Sequence, residues 1–85
     1  MTETKQKIPK WFNGEVYTEG GTVENLFTQE PYELNAIELS MYDFIIGAQM
    51  AFEGGFHNDK IIVDFQKALT WFRTNNPKAY MVLLD

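Results

Sequence analysis

Hydrophobic and polar positions follow a helical period most clearly between Leu34 and Glu53. At about 100° per residue, Ile37, Met41, Phe44, Ile45, Ala48, Ala51 and Phe52 share one wide apolar stripe. Leu39, Tyr42, Ile46 and Met50 form a second, narrower patch on nearly the opposite side. Polar residues fall in two seams between them: Glu38, Gln49 and Glu53 in one; Ser40, Asp43 and Gly47 in the other. The pattern predicts one long helix over 36–53. Asn35 suits its N-cap, and Glu38 stands three residues on, where it completes a capping box. Leu34 and Leu39 have the spacing of a hydrophobic staple. Gly54-Gly55 supplies the left-handed backbone that ends a helix.

A surface helix needs one apolar face, and this one has two. Either both are covered within the chain, by a sheet and by helices, or one meets another chain. Gly47 costs about 1 kcal/mol relative to Ala in a helix interior. Close approach of a second backbone along Ser40, Gly47 and Ala51 would account for it, whether inside the chain or between chains.

The flanking segments are shorter. Met1 to about Lys10 reads as a loosely attached polar tail, and 11–85 as a single domain. Asn13-Gly14 is a hairpin turn dipeptide, and Glu15 to Thr18 reads as a strand after it. Gly20-Gly21 is a second turn signal, followed by a strand over Thr22 to Glu24. Asn25 to Pro31 is a loop with Leu26 and Phe27 folded inward, and Tyr32 to Leu34 a third strand. Trp11, Val16, Tyr17, Val23, Leu26 and Phe27 are then the residues that would pack this antiparallel meander on the long helix.

After the glycines, Asn58 caps a second helix over about 59–74, with Ile61, Ile62, Phe65, Ala68, Leu69 and Phe72 on its stripe. Val63 and Trp71 fall off that stripe, so each covers a neighbour or meets a partner. Asn76-Pro77 can open a third helix over 78–84, although the same apolar run is compatible with a strand. The fold class expected is α+β: a small N-terminal antiparallel meander, a long central helix, a second helix and a short third one.

Composition narrows the chemistry. The chain has 85 residues, 15% of them aromatic, enough for one packed domain with a limited core. With no cysteine there are no disulfides, thiolate metal sites or cysteine nucleophiles. The start is polar and lacks the apolar core of a signal peptide, and no run is long enough for a membrane span, so a cytoplasmic protein is expected. The net charge is −5, and no Lys or Arg occurs between Trp11 and Asp59. That interval is poorly suited to nucleic-acid phosphates. It suits a basic partner, or serves simply as a solvated acidic surface.

No phosphate-binding glycine loop or nucleophile elbow is present. His57 is the single histidine, and Glu53, His57 and Asp59 cluster at a glycine-rich turn where a transition metal could bind. Trp11-Phe12 beside Lys10 could stack on bases, but closing the core is the simpler role. No catalytic residue and no cofactor is assigned.

The order of features from Gly14 to Ala48 runs Gly-Glu-Val-Tyr-Thr-Glu-Gly-Gly, then Val-Glu-Asn-Leu-Phe-Thr-Gln-Glu, then Glu-Leu-Asn-Ala-Ile-Glu-Leu-Ser-Met-Tyr-Asp-Phe-Ile-Ile-Gly-Ala. With the closing Trp71-Phe72-Arg73 and Ala79 to Asp85, it resembles small uncharacterised proteins of marine tailed phages, especially T4-like ones that infect cyanobacteria. The resemblance implies no activity and no site residues. It implies a setting, an infected bacterial cytoplasm in which a small acidic protein binds a host protein.

The function expected is therefore non-enzymatic protein binding. Its surface would be Leu39, Tyr42, Ile46 and Met50, rimmed by Glu38, Asp43 and Glu53. The alternatives are a homo-oligomer, such as a homodimer, built on the same patch, and a metal- or ligand-binding protein around Glu53, His57 and Asp59.

Overall fold

The computed structural model describes residues 6–84. Two strands, β1 (Gly21–Glu24) and β2 (Pro31–Leu34), precede three helices, α1 (Ala36–Glu53), α2 (Asp59–Asn75) and α3 (Pro77–Leu83). The class is α+β. The sheet is a single antiparallel hairpin with Gly21 opposite Leu34 and Glu24 opposite Pro31. Its alternation is as expected of a half-covered sheet: Val23 and Tyr32 are half-buried, and Thr22 and Glu33 are exposed.

The expected first strand, Glu15 to Thr18, does not form. The chain reverses earlier, where the Phe12 amide donates to the Pro9 carbonyl at 3.1 Å. The segment then runs along α1. The Tyr17 amide donates to Ser40 Oγ at 2.9 Å, and the Tyr17 phenol donates to Asp43 at 2.9 Å. A backbone amide already satisfied by a side chain has no need of a ladder partner. Val16 is consequently exposed.

The start of α1 is built as its sequence predicts. The Glu38 amide donates to Asn35 Oδ1 at 2.8 Å, and the Asn35 amide donates back to Glu38 Oε1 at 3.0 Å. At the other end the Phe56 amide reaches the Ala51 carbonyl and the Gly55 amide the Phe52 carbonyl, with Gly55 at φ 91°. That is a Schellman stop, and it needs the left-handed conformation at Gly55, not Gly54. Asn58 and Asn76 cap α2 and α3. With Pro77 in its first turn and the Tyr80 amide donating to the Asn76 carbonyl at 3.0 Å, the C-terminal run is a helix.

The core lies between the wide stripe of α1 and the stripe of α2, with α3 closing it against α2 and β2. Met41, Ile45, Ala68, Phe72 and Ala79 are fully buried, with Leu34 and Leu83 nearly so. Phe12 and Trp11 add an aromatic wing, with rings 5.6 Å and 6.5 Å from Phe44 in edge-on contact. Gln6 and Ile8 are also engaged, Gln6 through hydrogen bonds to Glu38 and Asn35 and Ile8 through packing on the core. Residues 6–10 of the expected tail therefore contribute to the fold; residues 1–5 lie outside the described residues.

Among the described residues nothing lies within 4 Å of where a Gly47 Cβ would stand, so no backbone of this chain approaches there. The close approach is at Gly20, whose Cβ would lie 2.1 Å from the Leu34 carbonyl oxygen as the hairpin meets the start of α1.

Candidate interaction surface

The second patch of α1 divides into a covered half and an open half. Tyr42 is buried, and its hydroxyl donates to the Glu24 carbonyl at 3.3 Å. Leu39 is half-buried against the start of β1, its Cδ2 3.7 Å from the Cβ position of Gly21. The hairpin thus takes up these two expected contact residues as packing. Ile46 is half-buried and packs on the core, whereas Met50 is 66% exposed.

Of the expected acidic rim, Asp43 and Glu53 are exposed, but Glu38 is not a rim residue. It is 5% exposed and accepts from three sides. Besides the Asn35 amide, it takes the Gln6 side-chain amide at 2.7 Å and the Asn76 side-chain amide at 2.9 Å. One carboxylate joins the N-terminal segment, the cap of α1 and the cap of α3. Three hydrogen-bond donors thus converge on one buried carboxylate, which satisfies its lone pairs.

The open half of the patch is extended by residues expected to fold inward. Phe27 is 94% exposed and Leu26 62% exposed, at the tip of the β1–β2 hairpin. The tip is held by one side chain. Asn25 Oδ1 accepts from the Phe27 amide at 2.7 Å and the Thr28 amide at 2.9 Å. Its Nδ2 donates to the Val82 carbonyl at 2.8 Å, one of the carbonyls left free in the last turn of α3. Its backbone amide and carbonyl pair with Glu30 and Gln29. Gln29 takes φ 63°, and the turn closes with Phe27 pointing away from the core.

Leu26 and Phe27 line a small crevice of about 70 Å³ with Ile46, Gln49 and Leu84. Met50, one turn along α1 from Ile46, adds a further exposed apolar side chain. Glu24 and Glu30 flank the hairpin tip, and Glu53 lies one turn beyond Met50; all three are exposed.

A second surface lies on the outer face of α2. Trp11, Val63, Gln66, Lys67, Thr70 and Trp71 line an open groove of about 460 Å³. Val63 is 48% exposed, and the Lys67 ammonium stands 6.0 Å from the centre of the Trp11 ring. Among the described residues no carboxylate lines this groove. Trp71 and Val63 are the two residues that the helical stripe of α2 excludes. What brings Trp11 to them is the turn at Pro9–Phe12, a contact that no local pattern announces.

The turn around His57 assembles no metal site. Among the described residues no group of three or more His, Asp or Glu side chains could hold a metal ion. His57 instead stacks on Phe52, with rings parallel within 1° at 5.9 Å. No helix among the described residues is long and apolar enough to cross a membrane. Comparisons with protein-family models, with curated proteins and with solved structures find no match to this chain.

Proposed function

We propose that this protein is a non-enzymatic binding module that engages another protein chain through the Phe27 tip, with Leu26, Ile46 and Met50 beside it. The observation that carries this reading is a phenylalanine exposed to 94% on a turn whose backbone is pinned by Asn25. An exposed aromatic ring contributes nothing to the core. With its backbone held, the residue has less entropy to lose on binding, which is one way anchor residues of interfaces gain affinity. Met and Phe are among the residues enriched at interfaces. Glu24, Glu30 and Glu53 around it favour a basic partner and raise its encounter rate.

The resemblance to small phage proteins adds a setting for this reading, an infected cell in which the partner is a host protein or another copy of the chain.

Photo-crosslinking in the producing cell tests the reading. A benzoylphenylalanine at position 27 is expected to yield a discrete protein adduct, while the same group at exposed Thr18 yields none. Equal labelling at both positions, or none at 27, contradicts it.

A further inference from the structure

The two surfaces described above are complementary, and they lie on opposite sides of α1. The aromatic wing packs on Phe44, and the Phe27 tip sits beside Ile46. Two residues apart on a helix means about 200° of rotation, so a contact that uses one surface leaves the other free. The tip is apolar, protruding and acidic at its rim. The groove is largely apolar and open to solvent, and among the described residues no carboxylate lines it; Lys67 does, and exposed Lys10 precedes Trp11. At about 460 Å³ it is broad enough for an aromatic side chain to lie against its two tryptophans.

We propose that the groove formed by Trp11, Val63, Lys67 and Trp71 receives the Phe27 tip of a second copy of this chain. The proposal rests on the binding role of the tip given above and names its partner. The ring of Phe27 enters between the two tryptophans, where edge-on or offset aromatic contacts form. Glu24 or Glu30 of the incoming tip then faces Lys67. The interface is heterologous: each copy offers a different surface to each neighbour. Such a contact does not end at a dimer but continues into a ring or an open chain. Two tips placed face to face would instead oppose like charges, because no Lys or Arg occurs between Trp11 and Asp59. A contact of one loop in one groove is small, so it belongs with weak interfaces.

The test is complementation in solution, read as absolute mass by light scattering at concentrations up to roughly 1 mM, where weak contacts are populated. Phe27→Ser removes the tip and leaves the groove. Val63→Glu blocks the groove and leaves the tip. Lys67→Glu, at an exposed position, serves as a second groove variant, and circular dichroism confirms that each is folded. The wild-type mass is expected to grow with concentration. Each variant alone should stay at 9.9 kDa. An equimolar mixture of a tip variant and a groove variant should form a species of twice that mass which grows no further, since each pair has one working tip and one working groove.

A mixture that remains at 9.9 kDa while the wild type associates overturns the proposal, as does a wild type that is monomeric throughout. In the second case a crosslink from position 27 to a different protein would leave the binding role standing. The absence of any adduct would remove both.

Discussion

Glu38 is the residue on which three segments depend. Three donors converge on its carboxylate: the Asn35 amide and the side-chain amides of Gln6 and Asn76. Hydrogen bonds to a charged acceptor contribute roughly 1.5–3 kcal/mol each at most, and they are not additive. Glu38→Gln is expected to destabilise the protein by about 2 kcal/mol in urea unfolding, because its NH₂ group would face a donor that now needs an acceptor. An unchanged midpoint would show that the carboxylate is dispensable.

Gly47 is expected to behave in the opposite way. Its Cβ position is open and lies within α1, so Gly47→Ala should stabilise by about 0.5–1 kcal/mol and raise Tm by several degrees. A loss of stability would mean that something approaches Gly47 after all.

Tyr17 and Tyr42 both have pKa values above the usual 10.0 of a phenol. The hydrogen bond to Asp43 is the main cause at Tyr17, and burial is the cause at Tyr42. A phenol that holds its proton more tightly when folded stabilises the fold below pH 10 and loses that contribution as pH rises through its folded pKa. Stability should therefore fall above pH 10, and ultraviolet titration should find that these two phenols ionise late. Asp43→Asn should shift the titration of Tyr17 downward and leave that of Tyr42 in place; no shift at Tyr17 would contradict the assigned hydrogen bond.

At the scale of elements, the helices were legible and the segments between them were not. The apolar period, the Asn caps and a Gly-Gly stop fix α1 and α2, because each signal acts within a few residues of the boundary it sets, whereas at α3 the Asn-Pro start favours a helix over an apolar run that also suits a strand. The fate of the second face of α1 depends on what folds over it, and that is set at long range. Tyr42 is taken up by Glu24, eighteen residues earlier, and Glu38 by Asn76, thirty-eight residues later. The pairing of Tyr17 with Ser40 likewise turned an apparent strand into a segment laid along a helix.

Leu26 and Phe27 face solvent for a reason that local hydrophobicity does not carry. Hydrophobicity says that burial is favourable, but it does not say that a turn lets the side chain reach the core. Asn25 was the available clue, since Asn commonly bonds the amides two and three residues on. Its second bond, to Val82, was beyond any local pattern. Asn25→Ala is expected to cost about 1–3 kcal/mol, since it orphans the Val82 carbonyl and frees the tip. It should also speed amide hydrogen exchange at Phe27 and Thr28. Exchange at those two amides as slow as in the wild type would show that the tip holds itself.

For the whole molecule, the acidic and basic groups are separated along with the two apolar surfaces. The hairpin and α1 carry carboxylates without cations, while α2 carries Lys67 and Arg73 beside Asp59 and a Lys60–Asp64 ion pair at 2.8 Å. The core that joins the two sides is formed by residues distinct from either surface: Met41, Ile45, Ala68 and Phe72 for the core, Phe27 and Met50 on one side, Val63 on the other. Trp11, Trp71 and Ile46 pack on the core as well as bordering a surface, whereas Phe27 stands clear of the core and is left to meet another chain.

The measurement that tests this placement most directly is the unfolding free energy of Phe27→Ala in urea, at a dilution where the wild type is monomeric. A change within about ±0.5 kcal/mol is expected, as for an exposed surface position. A loss of about 3–5 kcal/mol, the cost of truncating a buried phenylalanine, would put Phe27 in the core and contradict the account.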